Sequence, residues 1–319
     1  MDSIDRQVFQ RMAQWQEAGQ DCWLCTIVAT IGAAPRPIGS MLACTGDDSV
    51  GSLSGGCVED DLLDRLRGGA LTIERPLQLE YGVSAEENER LGLPCGGRLQ
   101  ILIEHVPANA ALREQLHSLS TLLAQRRIAE RRIDLRDGNW SVRETTHFVP
   151  LELDAESLRQ CYGPRFQLLL VGAGEIARCL AAMAQMLDYR VLVCDPRRDA
   201  IERWMLDGVQ LLNCMPDDAV RDHCGNDPRS IVITLTHDPR IDDMALMEAL
   251  RRELFYVGAL GSQRTSSTRR ARLAQLDLSP EQIARLHAPV GLNIGSKRPP
   301  EIAIAILAEL TQLRAQAHA

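Results

Sequence analysis

Cysteine stands beside paired glycines twice in the first third of the chain, at Ser54-Gly55-Gly56-Cys57-Val58-Glu59 and at Cys95-Gly96-Gly97. Glycine lets a backbone approach an anion or a flat ligand closely. A thiolate is the soft side chain suited to a soft metal. The stretch Val58–Arg67 reads as a helix, which puts Cys57 at its amino end, where aligned amides favour the reactive thiolate form. Glu59 lies in the same first turn and suits the helix dipole, although its charge opposes thiolate formation. Cys57 is therefore the first candidate for a reactive, metal-ligating thiol, and Cys95 the second. In a third loop, Pro35-Arg36-Pro37-Ile38-Gly39-Ser40, two prolines stiffen the presentation of a guanidinium, a group that grips phosphate with two parallel hydrogen bonds.

A different chemistry is written further along. Phe166-Gln-Leu-Leu-Leu-Val171 is an apolar run of the kind buried on both faces of a parallel sheet. It leads into Gly172-x-Gly174-x-x-Ala177, and Asp195 closes the next apolar strand. This is the dinucleotide pattern: a tight turn, a close backbone approach, a helix amino end for a phosphate and an acid for a ribose hydroxyl. Arg197 follows as a phosphate candidate. Gly258-Ala-Leu-Gly261-Ser262 and Gly291-Leu-Asn-Ile-Gly-Ser-Lys-Arg298 are further strand-to-helix junctions on the same sheet edge, and Arg269, Arg270 and Arg272 read equally as a solvated face or as anion contacts.

Several reaction classes drop out. Lys297 is the only lysine, and no GxxxxGK[ST] surrounds it, so P-loop nucleotide hydrolysis is excluded. A Schiff base would have to use Lys297, which lies in a polar loop rather than an apolar pocket. The seven histidines do not cluster, and neither HExxH nor GxSxG occurs. Cys22 and Cys25 have CxxC spacing, but their segment reads as a strand, where residues three apart face opposite sides. A net charge of −8 disfavours nucleic-acid binding. The polar, acidic start and the lack of a long apolar run predict no membrane span, and with ten cysteines and no leader the expectation is a cytoplasmic protein with reduced thiols.

The elements that must hold these groups divide the chain. Residues 1–105 mix helices and strands in an α+β domain without a dinucleotide pattern. Residues 106–165 read as a connector with one amphipathic helix and a hairpin turning at Asp137-Gly138. Residues 166–319 alternate strands and helices, which predicts an α/β class domain with a Rossmann-like parallel sheet.

In order and in detail, Pro35–Gly39, Gly51–Asp60, Cys95–Gly97, Leu169–Gly174, Asp195–Arg197, Thr236–Asp238, Tyr256–Ser262 and Pro289–Ser296 resemble the XdhC/CoxI family, the accessory proteins of xanthine dehydrogenase and related molybdenum hydroxylases. The resemblance implies an N-terminal XdhC/CoxI domain joined to a Rossmann domain, paired as a homodimer. It implies binding of the molybdenum cofactor (molybdopterin), held while a cysteine desulfurase helps install its terminal sulfur and then delivered to an apo xanthine dehydrogenase-type hydroxylase. Such a protein is an accessory factor rather than an enzyme. On this reading Cys57 is the reactive residue and metal ligand. The cofactor-binding set is Arg36, Gly39, Ser54, Gly55, Gly56, Cys57, Glu59, Cys95, Gly96, Gly97, Gly172, Gly174, Asp195, Arg197, Gly261 and Ser262, with a nucleotide as a second occupant for the Rossmann domain. The loop ending Asn293-Ile-Gly-Ser-Lys-Arg298 departs from the family pattern, which leads one to expect Asp, Ala and Arg there. The alternative is a NAD(P)- or FAD-dependent oxidoreductase that uses the Rossmann domain directly, and a third reading is a purely structural partner of the hydroxylase.

Overall fold

The structure, a computed structural model, describes residues 3–32, 36–71, 73–91 and 97–317. It divides into two compact units, Met1–Pro164 and Arg165–Ala319.

The first unit runs α1 (Ser3–Glu17), β1 (Cys22–Ile31), β2 (Met41–Cys44), β3 (Ser49–Gly51), α2 (Cys57–Arg67), β4 (Leu77–Tyr81), α3 (Ala85–Arg90), β5 (Arg98–Val106), α4 (Ala110–Ala124), β6 (Ile128–Asp134), β7 (Trp140–Thr145), β8 (Glu152–Leu153) and β9 (Ser157–Tyr162). Five strands form an antiparallel sheet in the order β3-β2-β1-β5-β4. Strand alternation divides β1 between two cores. Cys22, Leu24 and Val28 face α1 and α4, whereas Cys25 and Ile27 face α2. The two cysteines of the CxxC spacing thus lie on opposite sides of the sheet. A second antiparallel sheet, β7-β6-β9-β8, contains the expected hairpin, with Gly138 at φ 75° in its turn. Residues 106–165 are the segment read as a connector, and those up to Pro164 belong to this unit. They share a core with the N-terminal helix: Leu116, Leu119, Ile133, Trp140 and Leu158 are buried with Val8, Met12 and Trp15.

The two sheets of this unit are tied by a buried charge pair. Arg131 on β6 donates to both carboxylate oxygens of Glu104 on β5, at 2.7 and 3.1 Å, and both side chains are fully buried. Trp140 Nε1 donates to the same carboxylate at 2.9 Å, and the guanidinium lies 4.5 Å from the Trp140 ring centroid.

The second unit runs β10 (Gln167–Val171), α5 (Glu175–Met186), β11 (Arg190–Cys194), α6 (Arg198–Glu202), β12 (Gln210–Leu212), α7 (Pro216–His223), β13 (Ser230–Thr234), α8 (Pro239–Leu250), β14 (Tyr256–Ala259), α9 (Gln263–Ala274), α10 (Pro280–Ala284), β15 (Leu286–His287) and α11 (Pro299–Ala317). Its six strands are all parallel, in the order β12-β11-β10-β13-β14-β15. The apolar runs alternate between two buried faces. Leu168, Leu170, Val191 and Val193 meet α5 and α11, while Leu169, Val171, Leu192 and Cys194 meet α7 and α8. The sheet order reverses direction at β10, which makes the crevice beyond the carboxyl ends of β10 and β13 the natural ligand position. Among the described residues no helix is long and apolar enough to cross a membrane.

Removing one partner of a buried ion pair strands the other charge, at a cost of about 3–5 kcal/mol. Glu104→Gln is expected to lower the urea midpoint of the first unit's unfolding transition by a corresponding amount. The paired change Glu104→Leu with Arg131→Met should cost less than the sum of its parts, and additive losses would show that the pair is not coupled.

Candidate functional site

Strand register gathers the first unit's candidate loops at one end of its sheet. Ile31 at the end of β1 pairs with Arg98 at the start of β5, and Leu42 near the start of β2 pairs with Gly51 at the end of β3. The segment after Gly51, the approach to Met41 and Gly97 therefore share that end. Gly39 is tied into it: its N–H donates to Ile27 O at 2.8 Å and its carbonyl accepts from Gln160 Nε2 at 3.1 Å. Arg36 is half-buried and makes no ion pair among the described residues. Cys95 and Gly96 lie outside the described residues.

The loop Ser52–Gly56 is wrapped around one carboxylate. Glu59 Oε1 accepts the N–H groups of Leu53, Ser54 and Gly55 at 2.8, 2.8 and 2.9 Å and the Ser52 hydroxyl at 2.9 Å. Its Oε2 accepts the Gly56 N–H at 3.0 Å and the Ser54 hydroxyl. Burial opposes ionisation of Glu59, but the Ser54 hydroxyl and the amides of Ser54, Gly55 and Leu53 outweigh it and hold the carboxyl far below its ordinary range. Gly55 adopts φ 96°, a conformation closed to most side chains, and this lets successive amides point inward. Glu59 fills this nest and acts as the loop's internal counter-charge.

What the loop displays instead is the Cys57 thiol, the first residue of α2. Among the described cysteines Cys57 alone is exposed; Cys179 and Cys214 are half-buried and the rest buried. Burial pushes the Cys22 thiol up to about 12, which suits an inert core residue. Among the described residues no group of three or more His, Cys, Asp or Glu side chains could hold a metal ion by itself.

In the second unit a cleft of about 780 Å³ opens beyond the carboxyl ends of β10, β11 and β13, walled by Gly172, Gly174, Asp195, Arg197, Thr236 and His237 among others. Gly172 has φ 106°, and a Cβ there would come within 2.9 Å of Thr236 Cγ2. Asp195 does not present a free carboxylate. Its Oδ2 accepts the Ala173 N–H at 2.9 Å and an Arg197 guanidinium N–H at 2.8 Å, while Oδ1 accepts the Arg197 N–H and Nε at 3.0 Å each. Burial raises its pKa, but Arg197 and the Ala173 amide more than compensate and keep it ionised. Asp195 braces the glycine turn through the Ala173 amide. Gly261 and Ser262 lie one strand along the edge, where the Ser262 hydroxyl accepts the Thr265 N–H and caps α9. The arginine run is internal: Arg269 pairs with Asp242, Arg272 with Asp243, and Arg270 donates to the carbonyls of Ala288 and Leu286.

Two family models match the chain in the order of its units: the XdhC and CoxI family over residues 15–82 and the XdhC Rossmann domain over residues 168–310. The chain belongs to the XdhC/CoxI family. It is 26% identical to a Bacillus subtilis protein named as a probable xanthine dehydrogenase subunit, across 93% of this chain and 94% of that one. It is also 26% identical to the Escherichia coli molybdenum cofactor insertion chaperone PaoD, across 93% and 85%. With Escherichia coli YqeB it shares 24% identity across 96% of its own length, but it spans only 46% of YqeB. A solved Bacillus halodurans structure named a xanthine dehydrogenase superposes with a TM-score of 0.75 at 25% identity, covering 97% of this chain and 96% of that one.

For an XdhC/CoxI chain two features of the site lay beyond the sequence reading. The hydroxyl of Ser52 and the amide of Leu53 complete the Glu59 nest, and Thr236 and His237 form a cleft wall. The first has a visible signal in retrospect, a glutamate three residues after Gly56, the spacing from which a side chain reaches back to unpaired amides at a helix start.

Two expectations follow from this geometry. The nest favours ionised Glu59, so its contribution is complete above the unfolded carboxyl pKa of about 4.3 and is lost as pH falls toward the depressed folded value. Glu59→Gln should therefore destabilise the first unit at pH 7 in urea denaturation, with the gap to the parent chain narrowing from pH 5 to pH 3; a constant gap would exclude the nest as its source. In the second unit, Arg197→Ala should leave the backbone amides of Ala173 and position 197 as the remaining partners of Asp195 and expose Oδ1, so an NADH titration followed by nicotinamide fluorescence should give a stronger response than the parent chain does. Unchanged or weaker binding would show that Arg197 does not block the ribose position.

Proposed function

We propose that this chain is an accessory protein that binds the molybdenum cofactor, holds it for sulfuration with help from a cysteine desulfurase, and delivers it to a xanthine dehydrogenase-type hydroxylase in the cytoplasm. We further propose that it works as a homodimer and in an accessory rather than catalytic capacity. Family membership and the names of its relatives support the coarse reading. The observation that carries it to residues is the Cys57 thiol, exposed at the amino end of α2 on a loop shaped by Glu59.

The donor chemistry fits the cargo. Molybdopterin presents a molybdenum dithiolene, and thiolate is the soft protein ligand such a centre accepts. Cys57 would hold the metal end, with Gly55 and Gly56 allowing close approach of the pterin rings. Arg36, close by in chain order on the loop before β2, is the cation for its phosphate, because the amides of Leu53–Gly56 are already engaged. The cofactor supplies the metal and the exchangeable terminal sulfur; the protein supplies a fixed thiol and exclusion of competing protein ligands. The oxidoreductase alternative requires Asp195 as a ribose acceptor, a role its bonds to Ala173 and Arg197 disfavour.

Cys57→Ala should leave the circular dichroism spectrum and unfolding midpoint unchanged, because the thiol has no packing role. It should abolish co-purification of molybdenum and pterin fluorescence from cells that make molybdopterin. Retention of both at parental stoichiometry would remove Cys57 from the cargo site.

A further inference from the structure

Two thiols of the second unit lie side by side at the ends of neighbouring strands. Cys194 is the last residue of β11, and Cys214 stands two residues beyond β12. Their sulfurs are 4.0 Å apart, and the Cys194 S–H also faces the Cys214 carbonyl oxygen at 3.4 Å. The chain around them holds them there. Cys194 pairs with Leu212 in parallel register, and the Asp195 N–H donates to Leu212 O at 3.1 Å. Asn213 Nδ2 donates to the carbonyls of Asp195 and Pro196, at 2.9 and 3.2 Å. Residues 212–214 are thereby laid along residues 194–196. The sulfurs are brought together by strand pairing and amide bonds, not by their own attraction.

The two thiols differ in access. Cys194 is fully buried, whereas Cys214 is half-buried. Burial, and after it the neighbouring Cys214 sulfur, push the Cys194 thiol well above its ordinary range, so it stays protonated. An oxidant therefore meets Cys214 first, and Cys194 is placed to attack what forms there. The sulfurs have only to close to a bond length of about 2.0 Å, a movement within reach of side-chain rotation. Cys25 and Cys44 of the first unit also interact, but both are fully buried and neither offers an oxidant a point of entry.

We propose that Cys194 and Cys214 are a reversible oxidation site, closed to a disulfide by peroxide, that staples the end of β11 to the segment entering α7. Hydrogen peroxide converts the Cys214 thiol to a sulfenic acid; its O–O bond breaks and one water leaves. The Cys194 sulfur then attacks Cys214. The S–S bond forms, the S–O bond breaks, and the hydroxide leaves with the Cys194 proton as a second water. In total the two thiols give up two electrons and two protons, and peroxide is reduced to two waters. A dithiol reverses the step by exchange and is itself oxidised to a disulfide. Asp195, Pro196 and Arg197, next to Cys194 in the chain, line the cleft, so the staple limits how far that wall can move. The inference concerns the second unit alone and is independent of Cys57 and of what that thiol holds.

Trypsin places Cys194 and Cys214 in separate peptides, 191–197 and 204–221, each with no other cysteine. The full folded chain, treated with hydrogen peroxide, alkylated with iodoacetamide and digested, should yield these two peptides linked, and dithiothreitol should release them. Cys194→Ala removes the attacking sulfur, so the Cys214 sulfenic acid should accumulate and label with dimedone at least about tenfold more than in the parent chain. In the parent chain, oxidation should slow amide hydrogen exchange across residues 212–215 several-fold, because that segment can no longer swing away from β11. Oxidation of Cys214 to sulfinic acid with no link, a link that forms only in the urea-unfolded chain, or one that joins two chains would overturn the proposal. A link that leaves exchange at 212–215 unchanged would also overturn it, since nothing would then be stapled.

Discussion

One carboxylate organises the loop that presents the Cys57 thiol. Four consecutive amides from Leu53 to Gly56 converge on Glu59, and two serine hydroxyls complete the shell. A glycine-rich turn at a helix amino end normally has unsatisfied donors looking for an anion. Here the helix supplies the anion from its own first turn. The donors are silenced, the turn is rigid, and the residue left facing outward is Cys57.

The second unit repeats the principle with different parts. The turn after β10 directs the Ala173 amide at Asp195, and Arg197 closes over the same carboxylate. In both units a glycine-rich turn that a sequence motif assigns to an outside ligand is addressed inward. The patterns are faithful guides to backbone shape.

This also explains what could be read from sequence. The runs Phe166–Val171 and Ile231–Thr236 announced a doubly covered parallel sheet because a strand buried on both faces has no polar alternation to hide it. Asp137-Gly138 marked its hairpin, and the start of α2 was legible from Ser54-Gly-Gly. Pairings distant in sequence were not legible. Residues 106–165 looked like a connector because nothing local shows that β6 will pair with β9, or that Arg131 will meet Glu104 across two sheets. The ambiguity of Arg269–Arg272 had the same origin, since their partners Asp242 and Asp243 come from the preceding helix.

The internal counter-charge has a consequence for traffic through the first unit. A loop that must order itself around each arriving guest loses conformational freedom at every capture and regains it at every release, which slows both steps and weakens the grip. A loop already closed on Glu59 undergoes neither change. The sulfur of Cys57 is therefore carried on a loop whose posture is set within the chain itself, before anything approaches it.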